Sequence, residues 1–346
     1  MNISQYIHNR LTQSISNQPH NEETPYRATA ISYQLPSLLK KLTDTNNIYY
    51  KTGFDRLDKL LGGGLEPGAM VVLGGLAGVG KTTLALQMAY NVSKQYNKDV
   101  LFLALEMTEF QMQVKLLSML TADIALHRVG NQTSPLSLQQ IRNSQAWDRL
   151  SQDEADLYLD AVMELQRNNH LYIQSPGKAT VQTVKETVVK HKAATGEAPI
   201  LFVDYLQYIK PDKATVTDKQ AIDAAVEALK EISIDYDTPV VALSSLSRSA
   251  YQTPSIGAAK GSGEIEYTAS TVLMLTLPFG VNEAEAKSID SKRSSLPGRF
   301  LPSSKRLQLT AVKNRSASNN CFMLLDFLDE YNYFSESEQP KSRSGK

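Results

Sequence analysis

The segment Gly75-Leu76-Ala77-Gly78-Val79-Gly80-Lys81-Thr82 constrains this chain more than any other. It fits the pattern G-x-x-x-x-G-K-[ST]. The apolar run Met70–Leu73 before it reads as a buried strand, and Thr82–Gln95 after it has helical spacing. A strand that breaks through glycines into a helix points several backbone N–H groups at one spot. The positive end of the helix adds to their pull on an anion. Gly75, Gly78, Val79 and Gly80 would line such a phosphate cradle, with Lys81 reaching the outer phosphates. The hydroxyl of Thr82, with Thr83 beside it, suits a magnesium ion. A glycine turn of purely structural purpose requires neither the lysine nor the threonine.

Two carboxylates belong with a site of this kind. Leu201-Phe202-Val203-Asp204 ends an apolar run in an acid, which suits a magnesium ligand at a strand end. Glu106 follows the apolar run Val100–Leu105. At the C-terminal edge of a parallel sheet it would face the ligand crevice and could orient a water molecule. It equally suits a helix N-terminus, since Thr108 and Glu109 follow. Position alone leaves both readings open.

The chain alternates apolar runs with amphipathic stretches from about Tyr49 onward. Expected strands are Met70–Leu73, Val100–Leu105, Leu171–Gln174, Ile200–Val203, Val240–Leu243, Thr271–Leu277, Leu307–Val312 and Phe322–Phe327. Expected helices are Thr82–Gln95, Glu109–Leu120, Val181–Ala194 and Lys219–Tyr236, with 136–168 mostly helical and Trp147 in a core. This pattern predicts an α/β fold, a mainly parallel twisted sheet with helices on both faces. The late strands lack long intervening helices, so the C-terminal end should be antiparallel.

Residues 1–48 read as a polar arm with a short helix at 35–43, residues 49–334 as the main domain, and 335–346 as a disordered tail. The 35–43 helix suits either its own domain's surface or a neighbouring subunit. Charges cancel, 36 basic against 36 acidic, which excludes a polycation but not a local basic patch. A single cysteine, Cys321, excludes an internal disulfide and favours the reducing cytoplasm. No apolar run is long enough to span a membrane, and the N-terminus lacks a signal-peptide core.

Further segments carry a family resemblance. Thr52-Gly-Phe-Asp-Arg-Leu-Asp58, Gly62-Gly-Gly-Leu-Glu-Pro67-Gly68 and the glycine loop resemble the RecA-like P-loop ATPases. Leu105-Glu106-Met107, Asp204-Tyr205-Leu206-Gln207, Leu246-Ser247-Arg248 and Lys313-Asn314-Arg315 narrow the likeness. Together they resemble the C-terminal motor domain of DnaB-type replicative helicases, over about residues 50–330.

The resemblance implies an ATP- and Mg²⁺-dependent hydrolase that works as a ring, typically a hexamer, on single-stranded DNA. Glu106 becomes the catalytic base. Lys313 and Arg315 become cations that reach a neighbouring subunit's nucleotide. Lys260, Gly261 and Gly263 match a DNA-contacting channel loop, and Lys210 and Lys213 suit either a second such loop or plain surface. The family's γ-phosphate-sensing glutamine is replaced by Ser245, and its Gln-Asp-Ala-Asp segment by Tyr267-Thr268-Ala269-Ser270. The family's helical N-terminal domain has no counterpart in 1–48. That leaves the arm to recruit any loader or replication protein, and suggests a phage, plasmid or other mobile element. A RecA- or KaiC-like ATPase without unwinding activity, filament-forming or regulatory, is the rival reading.

Overall fold

The structure is a computed structural model. It describes residues 49–128, 133–210, 217–245, 262–278, 304–319 and 321–337, together with Ile31 and Leu35. The chain divides into two units, Met1–Tyr49 and Tyr50–Lys346. Ile31 and Leu35 are helical and exposed, and the rest of the expected 35–43 helix lies outside the described residues.

The second unit runs α1 (Asp55–Leu60), β1 (Met70–Gly75), α2 (Lys81–Tyr96), β2 (Val100–Ala104) and α3 (Glu109–His127). Then come α4 (Leu138–Arg142), α5 (Ser144–Trp147), α6 (Gln152–Gln166), β3 (Leu171–Gln174), α7 (Val181–Thr195) and β4 (Ile200–Asp204). It closes with α8 (Asp218–Asp235), β5 (Val240–Ser245), α9 (Ser262–Thr268), β6 (Thr271–Thr276), β7 (Lys305–Asn314), β8 (Cys321–Leu328) and β9 (Tyr333–Glu336).

These nine strands join one sheet in the order β3-β2-β4-β5-β1-β6-β7-β8-β9. The first six positions are parallel and the last three antiparallel, as the sequence pattern predicts. Every residue of β1, β2, β4 and β6 is buried, which continuous apolar runs require when helices cover both faces. Alternate side chains enter two separate core layers. Val71, Leu73, Phe102, Phe202 and Leu243 pack with residues of α2 and α3. Met70, Val72, Leu101, Val203 and Ala242 pack with α7 and α8. Phe102 and Phe202 stack across β2 and β4 at 5.9 Å.

Local chemistry sets several helix starts. Thr108 and Gln111 form a reciprocal capping box on α3, as do Ser151 and Glu154 on α6 and Thr217 and Gln220 on α8. Three expectations need correction. Trp147 is 48% exposed rather than in a core. It sits on a four-residue helix too short to bury an indole, and it donates to the Ile141 carbonyl and leans on Tyr158. Leu105 lies just beyond β2. The expected tail from 335 begins inside a strand, because β9 runs to Glu336 and Ser337 is buried. Four residues are too few for their period to stand out ahead of a polar stretch. The basic stretch with Lys287, Lys292, Arg293 and Arg299 lies outside the described residues.

Candidate nucleotide site

The glycine loop leaves the C-terminal end of β1, between β5 and β6, and enters α2. Gly80 takes a left-handed φ of 99°. A Cβ there would lie 2.9 Å from the Phe334 ring and 3.0 Å from the Phe327 ring, so both the turn and the packing demand glycine. At Gly75 a Cβ would meet the Leu275 carbonyl oxygen at 2.9 Å. The loop is thus held close to its neighbours while its N–H groups curl into the turn.

Lys81 is buried, and its Nζ donates to the Gly75 and Leu76 carbonyls, each at 2.9 Å. Burial lowers its pKa, and the charges of Asp204 and Glu106 oppose that shift. Asp204 ends β4 directly opposite Ala104 of β2. The Thr82 side chain hydrogen-bonds to its carboxylate, while the buried Oδ2 has no partner among the described residues. Burial raises this carboxyl to about 6, and the nearby Glu106 charge adds to the rise. A buried, half-satisfied carboxylate beside a threonine hydroxyl and a second acid is a donor set that fits a hard divalent cation.

Glu106 is exposed in the turn after β2. The Leu105 N–H donates to the Asp204 carbonyl at 2.7 Å, which ties this turn to the end of β4. Thr82, Lys81, Asp204 and Glu106 therefore stand around one crevice at the C-terminal edge of the parallel strands. Ser245 ends β5 opposite Gly75, on the same edge.

Lys313 and Arg315 lie elsewhere. Lys313 is opposite Val272, which is opposite Val72 near the beginning of β1. That level lies three residue steps before Gly75, roughly 10 Å. The pair occupies the opposite edge of the sheet from the glycine loop. Arg315 donates to the Tyr267 carbonyl at 2.7 Å, and Lys313 donates to the Glu266 carbonyl.

Two of the DNA-contact candidates lie among the described residues. Gly263 is exposed in α9, and Lys210 is exposed with its backbone N–H bonded to Ala179. Lys260, Gly261 and Lys213 lie outside the described residues.

Of two further side chains near the crevice, Lys115 escapes the sequence reading and Gln207 enters it only as a motif residue with no role assigned. Lys115 on α3 reaches Asn332 Oδ1 at 2.7 Å and Thr83 Oγ1 at 3.4 Å. Burial lowers its pKa, and the charge of Asp204 opposes the shift. Its signal was available: it lies three residues after Met112 and four before Met119, on the buried stripe of α3. Gln207 donates from Nε2 to Ser244 Oγ at 3.0 Å and accepts from the Ser245 N–H at 3.3 Å. It links the turn after β4 to the end of β5.

A glycine cradle after β1, an acid ending β4 two strands away and a second acid after β2, one strand further, define a P-loop nucleotide-binding domain of RecA-like architecture. The chain belongs to the DnaB-like helicase family, whose C terminal domain model matches residues 50–336. It is 25% identical over 267 residues to a probable replicative DNA helicase of Trieres chinensis, covering 76% of this chain and 54% of that protein. It is 25% identical over 293 residues to the replicative DNA helicase DnaB of Geobacillus stearothermophilus, covering 83% of this chain and 56% of that one. The chain thus spans about half the length of these relatives. The fold is similar to a solved ATPase domain, with a TM-score of 0.72 at 21% identity, over 90% of this chain and 100% of the other. A DnaB-like replicative helicase, described with its primase interactions, gives 0.68 at 21% identity over 97% and 75%. Among the described residues, no helix is long and apolar enough to cross a membrane.

Proposed function

We propose that this chain is an ATP-hydrolysing DNA motor that assembles as a ring, typically hexameric, translocates on single-stranded DNA and unwinds duplex in replication. One observation carries the reading. The cradle, Thr82, Asp204 and Glu106 share one sheet edge, whereas Lys313 and Arg315 stand at the other. A second copy must supply the two cations if they act on nucleotide at all.

Gly75, Gly78, Val79 and Gly80 receive the phosphates of ATP, with Thr83 beside them in the first turn of α2. Lys81 releases its two carbonyl partners and turns to the β- and γ-phosphates. Thr82 and Asp204 hold Mg²⁺, which when bound neutralises phosphate charge and orients the transferred group. Glu106 orients the attacking water and accepts its proton. Lys313 and Arg315 of the adjacent copy stabilise charge at the γ-phosphate. Loss of that charge on hydrolysis loosens the subunit contact and shifts the channel loops. Lys260 with Gly261 and Gly263, and Lys210 with Lys213, hold DNA phosphates without reading sequence. The N-terminal arm is the segment available to a loader.

The test is steady-state ATPase with and without long single-stranded DNA, alongside Lys81→Ala and Arg315→Ala. Strong stimulation by DNA, lost in both variants, is expected, followed by strand displacement. Hydrolysis that ignores DNA, or survives Arg315→Ala, overturns the motor. A regulatory ATPase would then be favoured by Ser245, whose short side chain stands where the family resemblance implies a sensing glutamine.

A further inference from the structure

Arg315 and Lys313 are not the only cations at their edge of the sheet. Lys230 of α8 donates from Nζ to the Gly68 carbonyl at 2.7 Å, just before β1 begins. The backbone joins the three positions closely. Met70 accepts from Ser270 N–H, and Ser270 accepts from Arg315 N–H. All three side chains end on main-chain carbonyls: Gly68 for Lys230, Glu266 and Tyr267 for Lys313, Tyr267 for Arg315. Among the described residues none of them pairs with a carboxylate. The acids whose charge reaches the lysines are Glu66 and Glu266. Glu66 accepts from the Ser316 hydroxyl at 2.8 Å.

Three cations gathered on neutral acceptors repel one another. Burial lowers the pKa of both lysines, and the Arg315 charge lowers each further. Neutral carbonyls orient ammonium and guanidinium groups without cancelling their charge. The arrangement leaves their positive charge uncancelled, which is what a multivalent anion requires.

We propose that Lys230 is a third cation of this cluster, and that with Lys313 and Arg315 it receives the polyphosphate of a nucleotide held in the cradle of a neighbouring copy of this chain. The proposal rests on the shared-site reading above and extends it to a residue on a different element. Lys230 sits on α8, which leads into β5, so the cluster draws on both α8 and β7. Either element can carry a shift of the cluster toward the central strands.

Complementation between inactive copies tests it. Lys81→Ala disables a subunit's own cradle and leaves its cations intact. Lys230→Ala does the reverse, and alone it is expected to lower kcat at least about tenfold. Co-expression of the two variants rebuilds a complete site wherever a Lys81→Ala copy faces a Lys230→Ala cradle, about a quarter of interfaces in a random heterologous ring. Hydrolysis should therefore return when the two are combined. Lys81→Ala co-expressed with Arg315→Ala is the control for the shared site itself. Recovery with Arg315→Ala but not with Lys230→Ala overturns the role of Lys230 alone, as does a Lys230→Ala protein of unchanged kcat. Failure of both mixtures overturns the shared site. Should Lys230→Ala fail to assemble, Lys230→Gln, which keeps a donor near Gly68, decides by the same outcomes.

Discussion

Asp204 has the surroundings of a core residue and the charge of a ligand. It is 1% exposed, its Oδ2 lacks a partner among the described residues, and its carboxyl is pushed up to about 6. A raised carboxylate pKa means the folded protein binds this proton more tightly than the unfolded chain does. Stability from this group is then present below the unfolded value, near 4, and falls as pH rises toward 6. Above pH 6 the metal-free fold carries a buried charge that Thr82, Lys81 and Lys115 only partly offset. Asp204→Asn removes that charge, so in chelator it should raise stability at pH 7.5 by about 1–3 kcal/mol, with little gain at pH 4. Denaturant melts of both proteins across this range measure the difference. A variant equally destabilised at every pH would refute the account. The same substitution should abolish Mg²⁺-dependent hydrolysis. At this scale the sequence was most readable where chemistry is local. Glycine, lysine and threonine at fixed offsets announce a cradle, and an acid after three apolar residues announces Asp204. The sequence shows Lys115 on the buried stripe of α3 and Gln207 within a motif, but not their partners Asn332, Ser244 and Ser245, which lie far along the chain.

At the scale of elements, the cradle depends on strands that follow it by some 250 residues. Gln87 of α2 donates to the Phe334 carbonyl and accepts from the Phe334 N–H, both at 2.9 Å and both buried. Phe334 stacks on Phe327 at 4.2 Å, and the two rings close over Gly80. β9 is thereby fastened to the helix that carries Lys81 and Thr82. Gln87→Ala strands two buried backbone groups, each left unsatisfied at about 1–3 kcal/mol. A loss of about 2–4 kcal/mol in urea denaturation is expected, together with weaker nucleotide binding. A change under about 0.5 kcal/mol would mean that water reaches the strand end and that the clamp contributes nothing. β1, β2, β4 and β6 were visible as apolar runs because burial on both faces demands them. β9 was hidden because, beyond its ladder with β8, it is held by one glutamine on α2 and a ring stack, neither of which leaves a period in the sequence.

For the whole molecule, the decisive feature is the separation of the glycine cradle from Lys313 and Arg315 at opposite ends of the strands, which the proposed mechanism makes two half-sites. On the proposed mechanism the cradle needs cations that its own chain holds at the other edge, while a net charge of zero leaves overall charge neither driving nor opposing assembly. A closed heterologous ring satisfies every half-site, and a lone copy satisfies none. The sequence made both halves legible as motifs, but not their placement at opposite edges. That follows from the antiparallel return of β7 beside β6, which a motif scan does not contain. The consequence is measurable without any substitution. Hydrolysis per subunit should fall steeply on dilution below the assembly concentration, because each dissociated copy loses its neighbour's Lys313 and Arg315. A trans arginine contributes on the order of a thousandfold or more to phosphoryl transfer, so residual monomer activity should be near background. ATPase assays over a dilution series, paired with light scattering or sedimentation at each concentration, read the two quantities together. Specific activity should track the assembled fraction. Activity that stays constant while the particles become single copies would mean that each chain completes its own site, and Lys313 and Arg315 would then serve the surface of α9 alone.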